Sequence, residues 1–248
     1  STCPAQPVAV TLSASLSSPS PYRACSTWRS NVLADLARWK PSVVLVAGSH
    51  STRMIAPGGR VYAGTDAAQH QRDLAWGKAT AALLTALHRR VPKAVVLVVH
   101  DTPIARRDVL ACVSRYGASA PTRCAVSTRA ALRAGVRATE RAAVESAMAA
   151  GMRARLVDPR TLVCGPAGRC LPAADGVLRY RDAGHLTRTF GRTQVKAWAS
   201  VLVLAGRVLA APPPAPEAPP AAPVLWPPQP AAAPPAISGS RVTAGVVA

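Results

Sequence analysis

The sharpest chemical pattern in the sequence is Tyr180-Arg-Asp182-Ala-Gly-His185-Leu-Thr, an Asp-x-x-His. A histidine that takes a proton from a hydroxyl needs its other ring nitrogen held by an acceptor. A carboxylate three residues upstream can reach that nitrogen across a tight loop. The same residues have a plainer use, with Asp182 capping a helix and His185 lying on the surface. Six cysteines fall into three close pairs, Cys3 and Cys25, Cys112 and Cys124, Cys164 and Cys170. An even count with local pairing predicts three disulfides, and no Cys-x2-Cys or His-x3-His spacing offers a tetrahedral metal site. No metal and no cofactor are expected, and the disulfides imply an oxidising compartment and an exported domain.

The elements that must position these residues alternate short β-branched runs with longer helical patterns, which predicts an α/β fold with parallel strands and crossover helices. Ser26 is the expected cap of a helix that Pro41 ends, and Ser42 to Ala47 reads as a buried strand. Thr65 or Asp66 opens a helix to about Arg90, and Ala94 to Val99 is a second strand. A loop is expected from about Asp101 to Cys124, then a helix capped by Ser127 running to Gly151, where glycine suits a left-handed residue. Ala154 to Asp158 is a third strand, and Thr187 to about Leu209 reads as the final helix. Asp182 and His185 then fall at the C-terminal edge of the sheet, where open α/β folds keep their sites.

The chain has 248 residues, 49% of them hydrophobic, enough to bury a real core and too apolar to be disordered throughout. Half of its 24 prolines lie between Pro212 and Pro235, so the folded domain is expected over 1–209, with 210–248 a Pro/Ala-rich tail. Lys and Arg total 30 against 11 Asp and Glu, a formal charge of +19. Such an excess raises nucleic acid or an anionic surface as a partner. The cations are nearly all Arg, spread singly or as doublets such as Arg89-Arg90 and Arg106-Arg107, without Gly/aromatic interleaving. No specific nucleic-acid site is expected. No run of about 18 uninterrupted apolar residues is present to span a bilayer.

Several segments carry a family resemblance. Cys25-Ser-Thr-Trp-Arg, Lys40-Pro-Ser-Val-Val-Leu-Val, His100-Asp-Thr-Pro, Asp108-Val-Leu-Ala-Cys112, Val157-Asp-Pro and Leu178-Arg-Tyr-Arg-Asp-Ala-Gly-His185-Leu-Thr occur in order over about residues 1–205. Together they resemble the SGNH domain fused to the C-terminus of bacterial membrane acyltransferase-3 proteins. The resemblance implies a three-layer, flavodoxin-like SGNH-hydrolase fold outside the cytoplasmic membrane. It also implies O-acylation, commonly O-acetylation, of cell-envelope or exported glycans, with acceptor and acyl donor supplied through a membrane acyltransferase module. By matching motif, His185 would be the general base and Asp182 its orienting acid.

The departures matter as much. An SGNH enzyme keeps its nucleophilic serine in a Gly-Asp-Ser after the first strand, and this chain has no Gly-Asp-Ser. The nucleophile and the first strands are therefore expected to be missing from these residues. Gly48-Ser49-His50 stands where the resemblance places a Gly-x-Asn block, which makes Gly48 and His50 oxyanion candidates and Ser49 an alternative nucleophile. Three readings are open: the SGNH portion of an O-acyltransferase, a secreted SGNH esterase with its own nucleophile, and a non-catalytic remnant that binds anionic envelope polymer.

Overall fold

Three aliphatic runs form the centre of the fold because parallel strands covered on both faces need no polar alternation. The computed structural model describes residues 3–12, 19–49, 54–62, 65–164 and 168–210. The chain divides into two units, Ser1–Pro214 and Ala215–Ala248, and the described helices and strands all belong to the first. Helix α1 (Ala24–Trp39) ends where Lys40 turns left-handed, with φ of 48°, just before Pro41. Strand β1 (Val43–Ala47) leads to α2 (Asp66–Arg90), capped by the Thr65 hydroxyl, which accepts from the Ala68 N–H. Then come β2 (Val95–Val99), α3 (Val109–Tyr116), α4 (Ala120–Arg123), β3 (Val126–Ser127), α5 (Thr128–Ala131) and α6 (Ala134–Ala149). Strand β4 (Ala154–Val157), α7 (Arg160–Val163), β5 (Arg169–Cys170), β6 (Ala173–Ala174) and β7 (Val177–Leu178) precede α8 (Arg188–Thr193) and α9 (Val195–Ala210).

The main sheet has the order β1-β2-β4, all parallel, with Leu45 level with Leu97 and Leu97 level with Arg155. Val44, Val46, Val96, Val98 and Ala154 pack against Leu83, Leu84 and Leu87 of α2 and Ala143 and Val144 of α6. On the opposite face Val95, Leu97, Val99 and Val157 meet Trp198 and Val201 of α9. This is the three-layer α/β arrangement expected from the sequence. Helices α2 and α6 approach closely because Gly77 has no side chain, and a Cβ there would strike that of Thr139. The bridges are Cys3–Cys25, Cys112–Cys124 and Cys164–Cys170, the pairing that the spacing predicts.

Several local expectations need correction. Helix α1 starts at Ala24, so Ser26 lies inside its first turn, where its hydroxyl accepts from Arg29 instead of capping. The stretch from Asp101 to Cys124 contains α3 and α4, whose buried Val109, Cys112 and Ala120 give too short an apolar pattern to read as helix. Ser127 does cap a helix, but only α5; the chain then extends through Leu132 and Arg133 before α6 begins. The carboxylate of Asp73 occupies the space that a side chain at Gly135 would need, so the α6 entrance is shaped by a residue on α2. The final helix is likewise two pieces, broken at Gln194. Gly151 is left-handed as expected, with φ of 84°.

Strand β1 is paired on one side only among the described residues. Its Leu45 is 51% exposed, whereas every residue of β2 is buried. An apolar cavity of about 770 Å³ lies along β1 between α1 and α2, lined by Leu33, Leu36, Val44, Val46 and Leu83 among others. A second, of about 380 Å³, lies between Leu45, Ala47, Val99 and Trp198. An all-parallel sheet ordinarily covers both faces of its strands, so β1 has the chemistry of an interior strand in an edge position.

Candidate active site at the C-terminal edge of the sheet

Asp182 and His185 sit in a closed turn. Tyr180 and Leu186 form an antiparallel bridge, and the Arg181 N–H donates to the His185 carbonyl at 2.8 Å. Beneath the turn, the buried Tyr180 side chain packs with Cys164, Cys170 and Phe190, and its hydroxyl donates to the Pro103 carbonyl at 3.0 Å. Burial pushes that phenol up to about 12, so it stays protonated and works as a fixed donor. The Ala105 N–H donates to the Ala183 carbonyl at 2.8 Å, which ties the loop after β2 to the turn. The Gly184 N–H donates to Asp182 Oδ1 at 2.9 Å.

The carboxylate of Asp182 collects four donors, one of them the Arg181 Nε–H at 3.4 Å from Oδ2. The N–H groups of Gly184 and His185 each lie 2.9 Å from Oδ1, and the His185 Nδ1 lies 2.8 Å from Oδ1 and 3.0 Å from Oδ2. The Gly184 N–H and then the His185 ring hold the Asp182 carboxyl down at about 2. With the carboxylate as acceptor, Nδ1 carries the ring proton toward Asp182, and Nε2 faces outward on a side chain that is 69% exposed. Nε2 has no hydrogen-bond partner among the described residues. Helix capping, the plainer use of this carboxylate, belongs to Thr187, whose hydroxyl accepts from the Phe190 N–H at 3.1 Å. Chemically, the pair can accept a proton at Nε2 and stabilise the resulting imidazolium.

The other sequence candidates lie at the end of β1. Gly48 is packed tightly, since a Cβ there would meet the Gln6 Oε1 at 2.7 Å. The Ser49 hydroxyl donates to Asp101 Oδ2 at 3.0 Å, and Arg133 lies 3.8 Å from the same oxygen. His185 is not among the hydrogen-bond partners of Ser49. His50 lies outside the described residues. Among the described residues no cluster of His, Cys, Asp or Glu could hold a metal ion.

Two groupings escaped sequence reasoning. His100, at the end of β2, places Nδ1 2.5 Å from Glu140 Oε2, and Trp76 donates to Glu140 Oε1 at 2.7 Å, all three buried. Asp158, just past β4, accepts from Arg137 at 2.5 Å and lies 3.7 Å from Arg160. Burial pushes the Asp158 carboxyl up, but the Arg137 hydrogen bond, the Arg160 N–H and the two guanidiniums outweigh it and leave it low. The His100–Glu140–Trp76 and Asp158–Arg137 contacts have no local signature, because each joins residues that only the folded sheet edge brings together.

The carboxylate-held imidazole thus lies at the C-terminal edge of a parallel α/β sheet, where open α/β folds keep their sites. The sequence matches the SGNH domain described as fused to AT3 domains over residues 1–199, and the chain belongs to that family. Among solved structures, it is similar to the periplasmic domain of the lipopolysaccharide acetyltransferase of Salmonella ser. Paratyphi A. The TM-score is 0.52 at 16% identity, covering 81% of this chain and 69% of that one, a likeness of fold. No curated protein matches the sequence.

Proposed function

We propose that the chain is the extracytoplasmic SGNH portion of an O-acyltransferase that acetylates or otherwise acylates cell-envelope or exported glycans. The observation that carries the proposal is the hydrogen-bonded turn in which Asp182 holds His185 Nδ1 and leaves Nε2 turned outward. In this reading His185 takes the proton of a serine hydroxyl as it attacks the acyl donor and gives it to the donor's departing group, then takes the proton of the acceptor glycan's hydroxyl and returns it to the departing serine oxygen. Asp182 keeps the tautomer and stabilises the imidazolium. Family membership and the three disulfides support the placement outside the cytoplasm.

The serine itself, in this proposal, comes from residues beyond these 248, on a strand paired with the free edge of β1. The support is the state of that strand: an interior sequence with one side unpaired among the described residues and apolar cavities along it. Within the chain, the Ser49 hydroxyl donates to the Asp101 carboxylate, which favours the acyltransferase reading over a free-standing esterase built on Gly48-Ser49-His50.

The test is hydrolysis of p-nitrophenyl acetate by the purified chain beside its Ser49→Ala variant. The expected result is no turnover above the buffer rate in either. Rapid turnover that disappears with Ser49 would make that residue the nucleophile and the protein an esterase.

A further inference from the structure

The three parallel strands start at one edge of the sheet, opposite the edge that carries Asp182 and His185. Each strand is entered past a cation: Lys40 precedes β1, Arg89, Arg90 and Lys93 precede β2, and Arg153 precedes β4. The edge is knit together by its backbone, with the Val95 N–H donating to the Ser42 carbonyl at 2.9 Å and the Val96 N–H to the Arg153 carbonyl at 2.8 Å. Lys40, Arg89, Arg90 and Lys93 are exposed, and none of the five cations has a carboxylate partner among the described residues. Among the described residues, the acidic groups in the last turns of the helices that end here are Asp35, already paired with Arg38 at 2.9 Å, and Glu145, a turn before the end of α6.

Part of this charge serves the helices. α1, α2 and α6 all end here, and each C-terminus carries about half a negative charge. Three such ends offset roughly one and a half of the five positive charges, and Glu145 about one more, which leaves a local excess. The edge carries one exposed aromatic ring, Trp39, 66% exposed beside Lys40, and its cations lack the repeated Gly/aromatic interleaving that stacks successive nucleic-acid bases, whereas a single indole among cations suits the headgroup level of a bilayer. Exposed basic side chains of this kind are drawn to anionic headgroups within a Debye length, about 8 Å at physiological salt.

We infer that the strand-entry edge, centred on Lys40, Arg90 and Lys93, docks on an anionic phospholipid bilayer. The inference rests on the reading of the chain as the extracytoplasmic part of a membrane-linked acyltransferase.

Co-sedimentation of the purified chain with vesicles tests it, comparing pure phosphatidylcholine with phosphatidylcholine containing about one third phosphatidylglycerol. The anionic vesicles should bind the protein and the neutral ones should not. A Lys40→Gln, Arg90→Gln, Lys93→Gln variant should bind the anionic vesicles at least about tenfold more weakly. An Arg107→Gln, Arg188→Gln, Arg192→Gln variant, with the same net charge, should stay within about twofold of the parent. Far-UV circular dichroism checks that both variants are folded; if the first is not, Lys93→Gln alone is used and should still weaken binding. Equal loss in both triple variants, or loss in neither, overturns the inference, as does displacement by inorganic phosphate at matched concentration. Acylation assays on a His185→Ala protein report on the enzymatic reading separately, so failure of vesicle binding leaves that reading untouched and the converse also holds.

Discussion

At the C-terminal edge of the sheet Asp101, Asp108, Asp158 and Asp182 each have an arginine or imidazole nitrogen within 3.8 Å, whereas Lys40, Arg89, Arg90 and Lys93 at the opposite edge have no carboxylate partner among the described residues. Both edges are basic by composition, so the difference lies in where the few carboxylates go. A carboxylate beside a cation fixes geometry: Asp182 orients an imidazole, Asp101 accepts from Ser49, and Asp158 gathers Arg137 and Arg160. A cation without one remains available to a distant surface. The direction of a parallel sheet makes the sorting possible, since loops after strands meet at one end and loops before strands at the other.

The strongest way to upset this contrast is to remove a carboxylate from the buried part of the ordered edge. Glu140→Ala would strand the His100 ring and the Trp76 N–H inside the core, and about 3–5 kcal/mol of stability should be lost. Denaturant unfolding measures it, and a loss under about 1 kcal/mol would mean the network is incidental. Gly77→Ala comes next, because its Cβ would force α2 away from Thr139 on α6. Overpacking of that kind costs about 1–3 kcal/mol, again readable as a shift in the denaturation midpoint.

Asp158 sets the two edges directly against each other. Asp158→Asn leaves the Arg137 side chain, only 11% exposed, without its charged partner, and a loss of about 1–3 kcal/mol is expected. An equivalent change at the other edge, Lys93→Gln, should alter stability by under about 0.5 kcal/mol.

The smallest effect concerns acid. Asp182 is held down at about 2 in the fold against 3.8 for the free side chain. A depressed carboxyl stabilises the folded state above the unfolded value, and that contribution disappears as pH falls through the folded one. The His185–Asp182 contact should therefore persist at pH 4 and be lost near pH 2, as read from the carboxyl carbon shift of Asp182; because the group is exposed, little change in melting temperature should accompany it.

What could be read from the sequence was what local chemistry decides. Val43–Ala47 and Val95–Val99 announce themselves because continuous aliphatic runs have few other uses. Thr65 caps α2 through contacts three residues away, and the Asp182–His185 turn closes over a similar distance. What stayed hidden depends on partners far along the chain. The α5–α6 break answers to Asp73, which lies on α2, far upstream of Gly135, and the His100–Glu140–Trp76 network spans separations of 40 and 64. The uncovered face of β1 was equally invisible at residue level, because Leu45 reads as a core residue in any strand pattern.

The proposed role of His185 as the proton acceptor for acyl transfer, held by Asp182, is tested most directly by glycan acylation in cells. The intact parent protein carries His185→Ala, with expression and far-UV circular dichroism matched to the parent. Loss of the imidazole should lower acylation by about 10³-fold or more, with Asp182→Asn impaired to a lesser degree. Full acylation by His185→Ala would contradict that role and leave the turn a structural feature of the sheet edge.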